Sequence, residues 1–140
     1  GRPAHAPLPA VLGVPAGPLE QSQAPLGAFL GPLRDGTFDL CMRDGIVPLA
    51  WSPLGGGRLM SGENVPAALI ATLDELAERE GVDRAAICYA FVLAHPSAPV
   101  ALLGTQNPDR LRAAVAALDV TLDRNDVYRI VQDSEGVPLP

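Results

Sequence analysis

The chain contains no lysine: its 140 residues include ten basic residues, and all of them are arginine. Chemistry that needs a lysine amine, such as a Schiff base or a P-loop, is therefore excluded within this chain. Aromatic residues make up only 4% of the sequence. No apolar run approaches the roughly 20 residues that a membrane-spanning helix needs. We therefore expect a soluble chain with no membrane partner.

Cysteine and positive charge are also scarce. The two cysteines, Cys41 and Cys88, have no second cysteine or histidine at metal-ligand spacing, so we expect buried thiols and no metal site. A net charge of -6 argues against a nucleic-acid partner, because phosphate binding needs a basic face. The first residues carry scattered prolines instead of the apolar core of a signal peptide, which predicts a cytoplasmic location.

The length fits one domain. Residues 1–32 hold seven prolines and five glycines, a density that disfavours helix interiors and central strands. We expect little regular structure there and assign the folded part to residues 33–140.

Apolar periodicity beyond Leu33 predicts alternating helices and short strands. Gly45 and Gly81 are typical helix ends, and Asp83, Asn107 and Asp123 are typical helix starts. The helices are expected at 34–44, at 65–80 and after each of the three caps; the strand-length apolar runs are 46–51 and 98–104. Pro48 weakens the first strand because it cannot donate to a ladder. The order predicts an α/β fold with parallel strands.

Two loops would follow the carboxyl ends of these strands, where α/β folds bind ligands. The first, SPLGGGR (52–58), allows close backbone approach and adds Arg58. The second, GTQNPDR (104–110), offers Thr105 and Arg110. Together they would form a phosphate-binding pair. In the alternative interpretation, which spacing alone favours, the glycines form a flexible loop and Asn-Pro-Asp-Arg only starts a helix.

The stretches RDGTFDLCMRDGIVPLAWSPLGGGRLM, AICYAFVLAHPSAPVALLGTQNPDRLRAAVAALDVTL and YRIVQDSEGVPLP resemble the C-terminal part of the aldo-keto reductase family. The likeness covers residues 33–140 and is strongest to the bacterial branch with a WSxLGGGRL loop. It implies a partial (β/α)8 TIM barrel, with Ile46–Trp51 as the seventh strand and Val100–Leu103 as the eighth. It also implies NADP(H) as cofactor and reduction of aldehydes or ketones.

The resemblance assigns cofactor-binding positions residue by residue. Those in the first loop would contact the pyrophosphate. In the second loop, Thr105 would lie near the phosphate on the adenosine ribose, and Arg110 would pair with that phosphate or stack on the adenine. They are Ser52, Leu54, Gly55, Gly56, Gly57, Arg58, Thr105 and Arg110. The chain departs from the family at Ala113 and Ala114, where many members have Glu and Asn near the adenine, and at Gly104, where many have lysine.

The family's catalytic aspartate, tyrosine, lysine and histidine come from earlier strands of the barrel. We assign no catalytic residue here, because lysine is absent and four other candidates sit in unsuitable places. These are Tyr89 and Tyr128 in predicted helices, His95 at a helix end and His5 in the proline-rich start. Residues 20–30 occupy the place of the sixth strand, where Gln23 would correspond to a nicotinamide contact.

Three hypotheses follow. The chain is a truncated aldo-keto reductase that keeps the cofactor-phosphate site without the catalytic tetrad. Alternatively, it is a non-catalytic nucleotide-binding module, or a domain that completes a barrel with another chain or by self-association. Open strand edges favour some assembly, because their unpaired donors and acceptors invite pairing.

Overall fold

A computed structural model describes residues 10–18 and 36–136. The expectations for His5, Gln23, residues 20–30 and the last four residues lie outside the described residues. In chain order the elements are β1 Val11–Pro15, α1 Thr37–Asp44, β2 Val47–Trp51, α2 Arg58–Ser61, α3 Ala67–Glu80, α4 Arg84–Leu93, β3 Val100–Ala101, α5 Pro108–Val115, a 3-10 turn Ala116–Asp119 and α6 Arg124–Glu135.

The strands form one parallel sheet in the order β1-β2-β3. Strand β1 corrects the expectation of little regular structure in residues 1–32, which is wrong for residues 11–15. Its apolar run is free of proline until Pro15 at its end, so the ladder loses no donor earlier in the strand. The Val47 N–H donates to the Ala10 carbonyl at 2.9 Å, which extends the pairing to the start of β1.

Pro48 lies in the middle strand, despite the weakness expected there. The first residue pair between β2 and β3 is Leu49 with Val100, so Pro48 lies one residue before this ladder begins. The Val47 N–H points to β1 and the Ala50 carbonyl accepts from Leu102 beside β3. The alternation of a parallel strand therefore turns the Pro48 nitrogen toward β3, where no ladder bond has yet formed.

The helix ends confirm the capping predictions. Gly45 and Gly81 end α1 and α3 with φ angles of 67° and 69°. The Asp83 carboxylate accepts from the Ala86 N–H, and the Asn107 side chain accepts from the Asp109 N–H. Asp123 starts α6 with a capping box. These signals are local, which is why sequence alone could locate them.

The main core lies where α3 packs against α4 and α6. Its fully buried large side chains include Leu59, Leu69, Leu73, Leu76, Ile87 and Ile130.

Cys41 and Cys88 are both buried, as expected, and burial raises the pKa of the Cys88 thiol to about 12. Among the described residues, no helix is long and apolar enough to cross a membrane. The same part of the chain has no cluster of three or more side chains able to hold a metal.

Candidate functional site

A cleft of about 1030 Å³ opens between the loop after β2 and the loop after β3. Both loops follow the carboxyl ends of neighbouring parallel strands, so they meet at one edge of the sheet. Six of the eight residues assigned from sequence line the cleft: Ser52, Leu54, Gly56, Gly57, Thr105 and Arg110. The volume is at the upper end of the range typical of small-molecule sites.

The glycines are required by the backbone conformation of the first loop. Gly55, Gly56 and Gly57 have φ angles of 61°, 68° and 90°, and Ser52 before them has 51°. The Gly55 N–H donates to the Ser52 carbonyl at 2.9 Å, and the Gly57 N–H donates to the Leu54 carbonyl at 3.2 Å. The loop is thus a left-handed coil that uses these donors internally, rather than a flexible run with its amides held free for an anion.

Arg58 was expected to contact the cofactor pyrophosphate, but it does not line the cleft. Its Nε donates to the Glu63 carbonyl at 3.1 Å, and its Nη2 donates to the Asn64 carbonyl at 2.6 Å. The guanidinium therefore closes the turn after α2. Gly55 is buried and also lies outside the cleft lining.

Two contacts that the sequence did not reveal hold the first loop in place. The Leu59 side chain is fully buried in the core. Arg84 on α4 donates to the carbonyls of Leu59 and Met60 at 2.9 and 3.2 Å. Its other nitrogens bind both carboxylate oxygens of Asp74, at 2.7 and 2.8 Å, and this hydrogen bonding lowers the pKa of Asp74. Arg84 thereby joins α2, α3 and α4.

The second loop leads into α5 through side-chain turns. The Thr105 hydroxyl accepts from the Asn107 N–H at 3.1 Å, and the Asn107 side chain accepts from the Asp109 N–H at 2.9 Å. Arg112, one turn into the helix, pairs with Asp109 at 2.7 Å on the exposed face. Thr105 is therefore held at the cleft wall by the start of the helix.

Arg110 differs from the other arginines of ranges 10–18 and 36–136. Its guanidinium makes no hydrogen bond or ion pair with a described residue, whereas each of the others there has at least one such contact. It lines the cleft from the first turn of α5, where the helix dipole is also positive. A cation at the edge of a cleft, with no partner among the described residues, is available to a negatively charged ligand.

Sequence analysis missed two aromatic residues of the cleft. Trp51 ends β2, is 37% exposed and lines the cleft. Tyr89 on α4 is buried, as expected of a packing residue, but it also lines the cleft. The only sequence signal was the position of Trp51 directly before the loop.

His95 lies away from the cleft. Its ring packs against Phe38 with centroids 4.5 Å apart, and its Nδ1 is 2.8 Å from the Ser97 hydroxyl and accepts from the Ser97 N–H at 3.1 Å. Burial lowers the pKa of His95. These contacts give His95 a packing role.

A family model and known proteins match this sequence. The model of the aldo/keto reductase family matches residues 34–134. A 6-dehydroglucose reductase from Novosphingobium aromaticivorans is 37% identical over 117 residues, covering 79% of this chain and 38% of that protein. The oxidoreductase YdhF of Escherichia coli is 35% identical over 110 residues, covering 77% of this chain and 36% of that protein.

Solved structures agree on the fold. The thermostable aldo-keto reductase Tm1743, solved with the inhibitor epalrestat, superposes with a TM-score of 0.70 at 22% identity, over 88% of this chain and 39% of that one. The aldose reductase of Giardia lamblia gives 0.64 at 20% identity, over 94% and 39%. The chain thus spans about two fifths of these relatives and folds as part of a (β/α)8 barrel. With the family model matching most of its length, the chain belongs to the aldo/keto reductase family.

Proposed function

We propose that this chain carries the phosphate-binding part of an NADP(H) site in a reductase of aldehydes or ketones. The observation that carries the proposal is the Arg110 guanidinium, which has no partner among the described residues and lines the cleft between two strand-end loops. A planar guanidinium suits a phosphate because it can donate two parallel hydrogen bonds. Thr105 lies in the same cleft and adds a hydroxyl.

The cleft fits the two ends of such a ligand. Arg110 and Thr105 would hold the adenosine phosphate, and Ser52 with Gly56 and Gly57 would border the pyrophosphate. Missing β-carbons at Gly56 and Gly57 leave open space, since a β-carbon built there would meet no atom within 4 Å. When bound, the dinucleotide would supply the hydride; this chain's own residues bind and orient it.

We assign no catalytic residue to these 140 residues. They contain no lysine, and the family resemblance places the tetrad on strands that precede this part of the barrel. The Tyr128 hydroxyl accepts from Arg124 on the exposed face of α6, and His95 packs against Phe38, so both have roles outside the cleft. Under this proposal, the acid and the substrate pocket of the complete reductase lie outside this chain.

Titration of the chain with NADPH, followed by nicotinamide fluorescence, tests the phosphate assignment. We expect Arg110→Ala to weaken NADPH binding by roughly 10- to 100-fold, because a charged hydrogen bond to phosphate contributes about 1.5–3 kcal/mol. NADH, which lacks the 2′-phosphate, should bind both proteins alike.

The matched control is Arg112→Ala, two residues along the same helix, since Arg112 is already paired with Asp109 and lies outside the cleft. Its NADPH affinity should equal that of the wild type. Absence of NADPH binding by the wild-type chain, or equal losses in the two variants, would contradict the proposal.

A second candidate, a module that completes a barrel with another chain or copy, is favoured by a separate observation. Within the described residues β3 pairs only with β2, and α5 has no buried residue. Leu111 and Val115 on α5 and Leu118 in the 3-10 turn after it are spaced along one face. Their side chains are 36%, 59% and 72% exposed. An open strand edge and an exposed apolar helix face are each typical of a surface that packs against further strands and helices.

A further inference from the structure

The cleft has a polar group that the proposed phosphate contacts do not use. Tyr89 lies on α4 and is only 6% exposed, yet its side chain lines the cleft together with Ala85, one helical turn earlier. Arg110, Ala113 and Ala114 of the neighbouring helix α5 line the same cleft. The nucleoside end of a ligand held by Arg110 would therefore lie between these two helices.

The Tyr89 hydroxyl has no hydrogen-bond partner among the described residues. Buried phenols usually find a partner, because an unpaired polar group in an apolar setting is costly. The oxygen is also absent from the fully enclosed, unpaired side-chain atoms of the described residues, so it opens into the cleft. Burial raises the pKa of Tyr89, which keeps the phenol protonated and able to donate.

The surroundings of this hydroxyl are small and apolar. Tyr89 belongs to a buried cluster with Ala86, Ala90 and Ala117. Ala113 and Ala114 on α5 line the same cleft and have no polar side-chain atoms, and Ala114 packs against this cluster. Asp83, also in the cleft lining, already accepts from the Ala86 N–H at 2.9 Å. The cleft residues near Tyr89 are thus mostly alanines, and the Tyr89 hydroxyl is a donor with no partner among the described residues.

We propose that Tyr89 recognises the adenine base of the nucleotide, with its hydroxyl donating to a ring nitrogen while the alanines contact the ring. This rests on the proposed function, since it requires a nucleotide held by Arg110. The contact comes from α4 and substitutes for the polar side chains that Ala113 and Ala114 lack. Tyr89 is thus a specificity-determining residue for the base, with no part in hydride transfer.

Calorimetric titration with adenosine 2′,5′-bisphosphate and with ribose 2,5-bisphosphate, which lacks the base, tests this. Tyr89→Phe removes only the hydroxyl and should weaken binding of the adenosine compound roughly fivefold, a typical loss for one neutral hydrogen bond. Binding of the ribose compound should not change. Tyr128→Phe is the matched control, because Tyr128 is exposed on α6 outside the cleft.

The outcomes separate the two proposals. If the wild-type chain binds the adenosine compound and Tyr89→Phe binds it equally well, the role of Tyr89 is overturned while the phosphate site stands. An equal loss for both compounds would also overturn base recognition. If the wild type binds neither compound, the proposed function fails and base recognition with it.

The unfolding midpoint of Tyr89→Phe should be measured first, to show that this variant is folded. A second variant tests the same site without changing Tyr89. Ala113→Leu changes an exposed position of α5 outside the core. The larger side chain would fill part of the cleft lined by α5. We expect at least a tenfold loss of adenosine bisphosphate affinity, with ribose bisphosphate unaffected. Unchanged adenosine bisphosphate binding in this variant would show that the base does not lie between α4 and α5.

Discussion

At the scale of single residues, the first loop depends on backbone conformations that only some residues adopt cheaply. Gly57 has a φ angle of 90°, and space around it is open. A side chain there is disfavoured by backbone strain and not by a clash. Ser52, at 51°, holds a left-handed conformation without being glycine, directly where β2 ends. Strain of this kind is often found at functional sites.

Gly57→Ala should therefore lower the free energy of unfolding by roughly 1–2 kcal/mol, the usual cost of a left-handed alanine. Gly104→Ala is the control: it also lines the cleft and is open, but it has no left-handed φ angle. Its effect should stay within about 0.5 kcal/mol. Urea unfolding measures both. Equal effects would mean that the loop tolerates alanine by changing its backbone.

At the scale of elements, charged side chains join helices that are far apart in sequence. Arg79 on α3 binds both carboxylate oxygens of Asp126 on α6, at 3.0 and 2.9 Å, and also the Thr121 carbonyl at 3.1 Å. The Asp126 side chain is only 10% exposed. Arg129 and Glu75 join the same two helices on the exposed side. We expect the Arg79–Asp126 pair to be the stronger of the two, because solvent screens the exposed Arg129–Glu75 pair.

We expect Arg79→Ala to cost about 1.5–3 kcal/mol, because it leaves a buried carboxylate without its charged partner, although the Asp123 N–H still donates to it. Arg129→Ala should cost less than about 1 kcal/mol. Chemical unfolding of both variants at neutral pH gives the comparison. Equal costs would show that burial of Asp126 does not strengthen its pair.

The same pair predicts a pH dependence. The hydrogen bond from Arg79 is the main cause that lowers the pKa of Asp126 from its usual 3.8. Because the folded-state pKa lies below the unfolded one, the pair's stabilisation is fully present above about pH 4 and is lost as the pH falls through the lower folded value. Arg79→Ala should thus lose less stability than the wild type on acidification.

At the scale of the whole molecule, three parallel strands form only part of a closed barrel. The outer side of β3 has no strand partner among the described residues, and Leu111, Val115 and Leu118 expose an apolar face on α5 and the turn after it. Val100 and Leu102, at the same edge, are also exposed. Burying such a surface is favourable by about 25 cal/mol per Å², so we expect it to be covered in solution.

Light scattering should therefore show that the mass of the chain rises with concentration. Leu118→Glu should shift it toward the monomer, because a charge buried against another apolar surface is costly. Met42→Glu, an exposed position on α1 away from this face, is the control and should leave association unchanged. A wild-type chain that stays monomeric at high concentration would contradict the prediction.

The sequence by itself determined the features that depend on neighbouring residues. The Gly45 and Gly81 helix ends, the Asp83, Asn107 and Asp123 caps and the paired loop motifs are local signals that need no partner elsewhere in the chain. Burial of the two cysteines followed from the same apolar periodicity. These signals were enough to indicate the fold class and the two loops of the cleft.

Only the tertiary structure decided which side chains form contacts within the chain and which remain available to a ligand. It turned Arg58 onto the Glu63 and Asn64 carbonyls, used Arg84 to hold the first loop and left Arg110 without a partner among the described residues. It also brought residues 11–15 into the sheet and Tyr89 to the cleft wall. Such outcomes depend on groups that are distant in sequence, because a hydrogen bond or a buried contact is set by proximity in space.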